Sequence, residues 1–414
     1  MMVRFKKNKL LVLICLTLIF ASDYSVFTGK VYSLSWYVLY YGKLELSLLL
    51  ILIPYSSWSR NSNKALNVGK IMRKRLIGLS IVIFIYSCLI WGFNNTQLTY
   101  ITRGISDTVF QILAICAGVS VALELEKDAV DVVVDAALVT YTLSYIIGLI
   151  TMRGEFLSSA FQFEMSGGAH VYVELHALAF ILGLSFVYMI SHRRGNRINK
   201  LKAILCAIYF VISWKRIGLF AVVFVFCLNI ILKRKNALYK YFANNLIAVA
   251  GVVACLIYVS FSASDLLIEL LGKYGISMMG RNIIFSYFRQ FCDFSPSYLG
   301  RGVGFVGKQF TFTTARELYN MASIRALHND FFKVYLQIGF AGFIAWAFYW
   351  LSYIPKFIAR KFGVNSGYIA LMVIVYSFII YTTDNMEGNY NYQLVLSMLL
   401  TTTCLTAYKK KGMA

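Results

Sequence analysis

Three groups of residues in this chain have the types and spacing to do chemistry. The first is a run of basic side chains between two apolar stretches: Lys273, Arg281, Arg289, Arg301, Lys308, Arg316 and Arg325, set against Asp265, Glu269, Asp293 and Glu317. Guanidinium groups make paired hydrogen bonds to phosphate oxygens, so such a run either binds an anion or forms a solvated loop neutralised by lipid headgroups. The second is Lys215-Arg216, at the tip of a very short connection between apolar segments. A pair so placed meets a phosphate at a membrane surface or serves as a snorkelling anchor. The third is His328-Asn329-Asp330, with Lys333 and Gln337 continuing from Asp330 along one helical face. Ionisable groups within an apolar helix face a bundle interior, and imidazole takes a proton near neutral pH. The plain alternative is a histidine that caps a helix together with Asn329.

Other patterns carry less. Gly302-Val303-Gly304-Phe305-Val306-Gly307 matches GxGxxG, but no strand–helix–strand unit surrounds it, so a dinucleotide fold is excluded. Gly302 and Gly304, with Gly300, instead allow the backbone close to a ligand or to another helix. Ile284, Phe288 and Phe291 recur at helical spacing, which predicts an amphipathic helix over 281–292 lying on a membrane, with Arg281 and Arg289 above it. Asp131 and Asp135 stand one turn apart, as in a proton relay or a headgroup contact. Of the eight cysteines only Cys292 falls outside an apolar segment, so neither a disulfide framework nor a metal motif is implied. No metal and no cofactor is expected.

These residues need elements to hold them. The chain has 414 residues, 59% hydrophobic and 14% charged, with three prolines. Its apolar runs are continuous rather than alternating, which predicts an all-α bundle of transmembrane helices and not a barrel. The net charge of +22 is concentrated in short clusters between apolar runs, the mark of cytoplasmic loops, and nucleic-acid binding is excluded. The hydropathy predicts twelve spans, at about 10–26, 33–54, 76–93, 105–123, 132–152, 175–191, 201–213, 217–232, 245–262, 329–352, 367–383 and 392–408. Both termini are expected in the cytoplasm, with one membrane domain over 1–414. Its largest external loop, over 263–327, lies between spans nine and ten. A smaller external loop holds Arg153, Glu155, Glu164, His170 and Glu174.

The order of the motifs resembles the O-antigen polymerase and O-antigen ligase superfamily. An arginine after a short seventh span is matched by Ser213-Trp214-Lys215-Arg216, and a Gly-Arg with a downstream aromatic by Gly280-Arg281 through Phe285. A Pro-x-x-Leu-Gly-x-Gly-x-Gly segment is matched by residues 296–304, and a His-Asn with two later glycines by His328, Asn329, Gly339 and Gly342. The match covers about 201–351; the first half resembles the family in hydropathy alone. Lys215 departs from the usual Ser-Arg, and Arg301 stands where a small residue is common.

The resemblance implies a GT-C-like, metal-independent glycosyltransferase of the bacterial cytoplasmic membrane. Its donor would be an undecaprenyl-diphosphate-linked oligosaccharide, in contact with membrane lipids and a chain-length regulator protein. Arg216 and Arg281 would stabilise the departing diphosphate, and His328 would deprotonate or position the acceptor hydroxyl. Lys215, Arg289, Arg301, Asn329, Gly302 and Gly304 would bind substrate. Polymerase and ligase are not separated by these motifs, and a flippase or other transporter is the rival from a different class.

Overall fold

The computed structural model describes residues 2–22, 34–55, 63–151, 175–192, 197–213, 215–264, 266–274, 281–310 and 327–412. Among the described residues it is all-helical, without strands. The helices are α1 (Met2–Ala21), α2 (Leu34–Leu52), α3 (Asn63–Phe93), α4 (Leu98–Leu125), α5 (Ala129–Thr151), α6 (His176–Ser191), α7 (Arg197–Ile212) and α8 (Arg216–Leu232). They continue as α9 (Ala237–Ser262), α10 (Leu266–Lys273), α11 (Arg281–Arg289), α12 (Phe305–Gln309), α13 (Asp330–Phe348), α14 (Ile354–Phe362), α15 (Val364–Ile380) and α16 (Tyr390–Gly412). The smaller external loop, Asp265, Arg316, Glu317, Arg325 and Trp214 lie outside the described residues.

Among the described residues, four stretches are long and apolar enough to cross a membrane: Ala65–Phe93, Leu98–Ile150, Ala237–Ser262 and Asp330–Phe362. The second covers 53 residues. A straight helix of that length would run about 80 Å, more than twice a hydrocarbon core. Glu126, at φ +49°, and the tight turn Glu126–Asp128 divide it into α4 and α5. Shorter apolar helices add Asn8–Ala21, Ala177–Ser191, Arg216–Leu232 and Val364–Ile380. These lengths suit a multi-pass membrane protein.

Packing follows the small residues. Along α4, Ala114, Ala117, Gly118, Ser120 and Ala122 are all buried. A Cβ on Gly118 would collide with the Leu394 carbonyl and Ser397 Oγ, so α4 and α16 touch backbone to backbone. The outward faces remain apolar: Ile14, Leu18, Val82, Ile85, Leu89, Phe220, Val223, Val249 and Val253 are exposed. Such a surface suits hydrocarbon and not water.

The bundle has two chemically distinct ends. At one, Asn8 donates to Glu124 Oε1 at 2.8 Å, Lys409 pairs with Glu126, and Lys202 Nζ sits 2.7 Å from Asp135 Oδ1. The first turns of α1 and the last turns of α16 therefore share an end. Asp131 and Asp135 are engaged there by Lys202, at 3.9 and 2.7 Å. At the other end lie the starts of α4 and α13, the end of α9, residues 289–310 and the turn between α15 and α16.

α13 is broken. Gly339 adopts φ +69°, ψ −171°, about 13 Å along the helix from Asp330. The gap is filled by the segment 298–302: Arg301 N donates to Leu336 O at 2.9 Å, Gly302 N to Gln337 O at 2.8 Å, and Phe340 N to Tyr298 O at 2.9 Å. Irregular backbone at this depth is tolerated because protein groups satisfy it. Part of the region expected as a hydrophilic loop is thus wedged among α3, α4 and α13. Tyr86 donates to Leu299 O at 3.0 Å, and Val303 N donates to Ser87 Oγ at 3.1 Å.

Candidate functional site

The His-Asn pair is held by three stretches: α13 itself, the end of α9 and the turn before α16. Asn329 caps α13, its Oδ1 accepting from Phe332 N at 3.0 Å, while its Nδ2 donates to Ser262 Oγ at the end of α9, also at 3.0 Å. His328 is at φ +51°, a backbone state uncommon for a residue with a Cβ, and its N donates to Asn385 Oδ1 at 3.0 Å. On its ring, Nδ1 lies 3.4 Å from Asn385 Nδ2 and 3.9 Å from Asp384 Oδ1. The carboxylate is too far for a direct hydrogen bond, but it is buried, so its field on the imidazole is weakly screened. About a third of the His328 side chain is exposed, at 33%.

Arg289 joins this group through α9: its Nε donates to Ser262 O at 3.1 Å, one residue atom away from the Asn329 contact. Arg301 turns elsewhere, its Nε donating to Phe291 O at 3.0 Å. Arg281 opens α11, and its side chain lies outside the described residues. The connection between α7 and α8 is short, as expected. Arg216 is exposed at the start of α8, and Lys215 Nζ lies 5.7 Å from the Phe180 ring centroid on α6.

The expected membrane-lying helix is different in the structure. Ile284, Phe285 and Phe288 of α11 are buried with Leu267, Phe305, Val306, Leu327, Phe332 and Leu336. The apolar face seals a small protein core beneath the loop, because Phe305 and Phe332 offer it a better-packed partner than lipid would.

Beside the His-Asn pair is a cavity of about 420 Å³ between α3, α4, α12, α13 and the turn before α16. Its polar lining includes Arg103, Asp107, Gln111, Lys333, Asn385 and Glu387, with Phe110, Phe310, Trp346 and Tyr390 among the aromatic walls. Arg103 Nε lies 3.0 Å from Asp107 Oδ1, Lys333 Nζ lies 3.1 Å from Glu387 Oε2, and Gln111 Nε2 donates to Glu387 Oε1 at 3.3 Å. Behind them Asp330 is fully buried; its Oδ2 accepts from Glu387 N at 2.6 Å, and its Oδ1 has no hydrogen-bond partner among the described residues. Two cations face two carboxylates, so the cavity is rich in donors and acceptors without strong net charge. That composition, with aromatic walls, fits sugar hydroxyls better than a bare diphosphate.

Of the residues singled out in the sequence, Lys333 and Gln337 line this cavity. His328 adjoins the lining residue Leu327 in the chain, and Gly302 and Gly304 flank the lining residue Val303, while Asn329 is not on the lining. Arg216, Lys215, Arg289 and Arg301 are not on its lining. Gly302 and Gly304 approach helices: added Cβ atoms would strike the Trp91 indole and the Gly104 backbone respectively. Arg103, Asp107 and Gln111 went unnoticed in the sequence, although their i, i+4, i+8 spacing is a polar stripe on an otherwise apolar helix. A scan against family models finds no match to this chain, and a search of curated proteins finds none either.

Proposed function

We propose that this chain is a polysaccharide polymerase. It would transfer a growing glycan from undecaprenyl diphosphate to the next lipid-linked repeat unit, on the outer face of a bacterial cytoplasmic membrane. The reading takes the bundle as a GT-C-like, twelve-span protein with both termini inside, and it rests on the motif order described above. The observation that supports it best is the adjacency of His328 to a charge-balanced, aromatic-walled cavity at the bundle end away from the Lys202–Asp135 and Lys409–Glu126 pairs.

In this reading the acceptor sugar sits in the cavity, held by Gln111, Asn385 and the two ion pairs. Its hydroxyl attacks the anomeric carbon of the donor, the bond from that carbon to the diphosphate oxygen breaks, and the hydroxyl proton passes to His328. Asp384 would steady the imidazolium. Charge then grows on the leaving diphosphate, outside the cavity, and Arg289, Arg281 and Arg216 would be the cations for it. A transporter of lipid-linked glycans is the second reading, favoured by the break at Gly339 in the same helix as buried Asp330 and mostly buried Lys333.

Deleting the gene in its native host and resolving the polysaccharide on a gel separates the readings. A polymerase leaves single repeat units attached and no long chains. Carrier-linked repeats accumulating inside the cell indicate a transporter, and unattached polymer on the carrier indicates a ligase.

A further inference from the structure

At the end of the bundle opposite the candidate site, a second cavity of about 790 Å³ opens among the ends of α6, α8 and α16, the start of α9 and the α14–α15 junction. Its described lining carries His192, Lys233, Arg234, Lys235 and Lys240, and no aspartate or glutamate. It shares no lining residue with the cavity beside His328. Lys233, Arg234, Lys235 and Lys240 all come from the α8–α9 connection and the first turn of α9, and the fold brings His192 at the end of α6 and the start of α15 to them.

Two further features point to an anion. α15 begins on this lining at Gly363, φ +104°, with no side-chain cap, so the positive end of a helix of 17 residues faces the cavity. Ser191, only 4% exposed, stands on the same lining, and its hydroxyl has no hydrogen-bond partner among the described residues. Some of the charge has structural work: Lys233 Nζ donates to Ile190 O at 2.6 Å at the end of α6, and Lys240 Nζ to Asn365 Oδ1 at 2.9 Å. Arg234 and Lys235 are exposed at the rim.

We propose that this cavity binds a phosphate group, the chemistry presented by the headgroup of an anionic phospholipid. Basic pockets between helix ends at an anionic leaflet take such headgroups. The room beyond one phosphate fits a small alcohol substituent, and the uncapped amides of α15 with the Ser191 hydroxyl supply donors to the phosphate oxygens.

The test uses the full-length protein in phosphatidylcholine nanodiscs containing a minor fraction of phosphatidylglycerol, then native mass spectrometry of lipid retained after transfer to detergent. Wild type should keep phosphatidylglycerol in preference to phosphatidylcholine. An Arg234→Gln/Lys235→Gln variant with an unchanged gel-filtration profile should keep it about tenfold less. A Lys356→Gln/Arg360→Gln variant, neutralised off this lining, should match wild type. In a second arm, inorganic phosphate is titrated into delipidated protein while the unfolding temperature is followed. A rise in wild type that the Arg234/Lys235 variant lacks, without selective lipid retention, identifies a soluble phosphate as the source. The proposal is overturned if neither ligand distinguishes wild type from the Arg234/Lys235 variant, or if neutralising Lys356 and Arg360 lowers retention equally.

Discussion

Lys333 Nζ lies 3.1 Å from Glu387 Oε2, and the two come from α13 and from the turn before α16, 54 residues apart. Both side chains are mostly buried, at 19% and 15% exposed, so neither charge is well hydrated. Lys333→Met should therefore strand Glu387 and Asp330 and destabilise the protein by about 3–5 kcal/mol. The double variant Lys333→Met/Glu387→Gln should recover a good part of that loss. Thermal unfolding in detergent, arranged as a double-mutant cycle, measures the coupling; additive effects would mean the pair is not an energetic unit.

His328 is the proposed proton acceptor, and Asp384 its buried neighbour. His328→Ala should reduce polymer formation by about 10²-fold or more at normal membrane insertion. Asp384→Asn should give an intermediate loss, because the ring keeps its Asn385 contacts. Gel analysis of surface polysaccharide, with the protein quantified by blotting, reads both; wild-type polymer from His328→Ala removes the imidazole from the mechanism.

The break in α13 depends on close backbone contact. A Cβ on Gly339 would run into the Leu299 and Tyr298 carbonyls in a backbone state disfavoured for L residues. Gly339→Ala should sharply lower the yield of folded protein. Gly363 has a similarly positive φ of +104° but open space around it, so Gly363→Ala should cost about 1–3 kcal/mol of strain and still fold. Fluorescence-detected gel filtration of the two variants compares them directly.

Cys292 sits in the loop under α11, where burial, with some help from the Asp293 carboxylate, pushes its thiol up to about 12. A raised thiol is protonated at pH 8, and the thiolate is the reactive form. Alkylation of Cys292 by iodoacetamide at pH 8 should be slow in the folded protein and rapid after unfolding, as followed by peptide mass spectrometry. Equal rates would show that the α11 core is open in solution.

A glycan reading of the cavity places Asp107 and Gln111 against the acceptor. Asp107→Asn should lower polymer yield while leaving single repeat units attached, since the defect lies in joining units and not in exporting them. Polymer of wild-type length and amount would exclude Asp107 from the acceptor site.

The helical class and the long apolar segments were legible in the sequence because hydropathy over some twenty residues is a local property that lipid reads directly. The segregation of basic clusters was legible for the same reason. The polar stripe Asp330, Lys333 and Gln337 was visible from spacing within one helix. What the sequence did not disclose was pairing across long separations. The meeting of Lys333 with Glu387, of Asn329 with Ser262, and of Arg103 and Asp107 with the Lys333–Glu387 pair around one cavity depends on which helices adjoin, and no local periodicity encodes that.

The same limit governs the loop. Composition marks residues 298–304 as glycine-rich, and only the tertiary structure shows that their backbone fills the break at Gly339. Charge marks both Arg216 and Arg289 as candidate anion binders, while the fold ties Arg289 to Ser262 and leaves Arg216 exposed at the start of α8, off the cavity lining. The sequence by itself determined which long segments are apolar helices, but not that the amphipathic α11 would pack on protein. The tertiary structure decided which charges share a cavity, because that choice is made by helix–helix contacts between small residues such as Gly118 and Ser397.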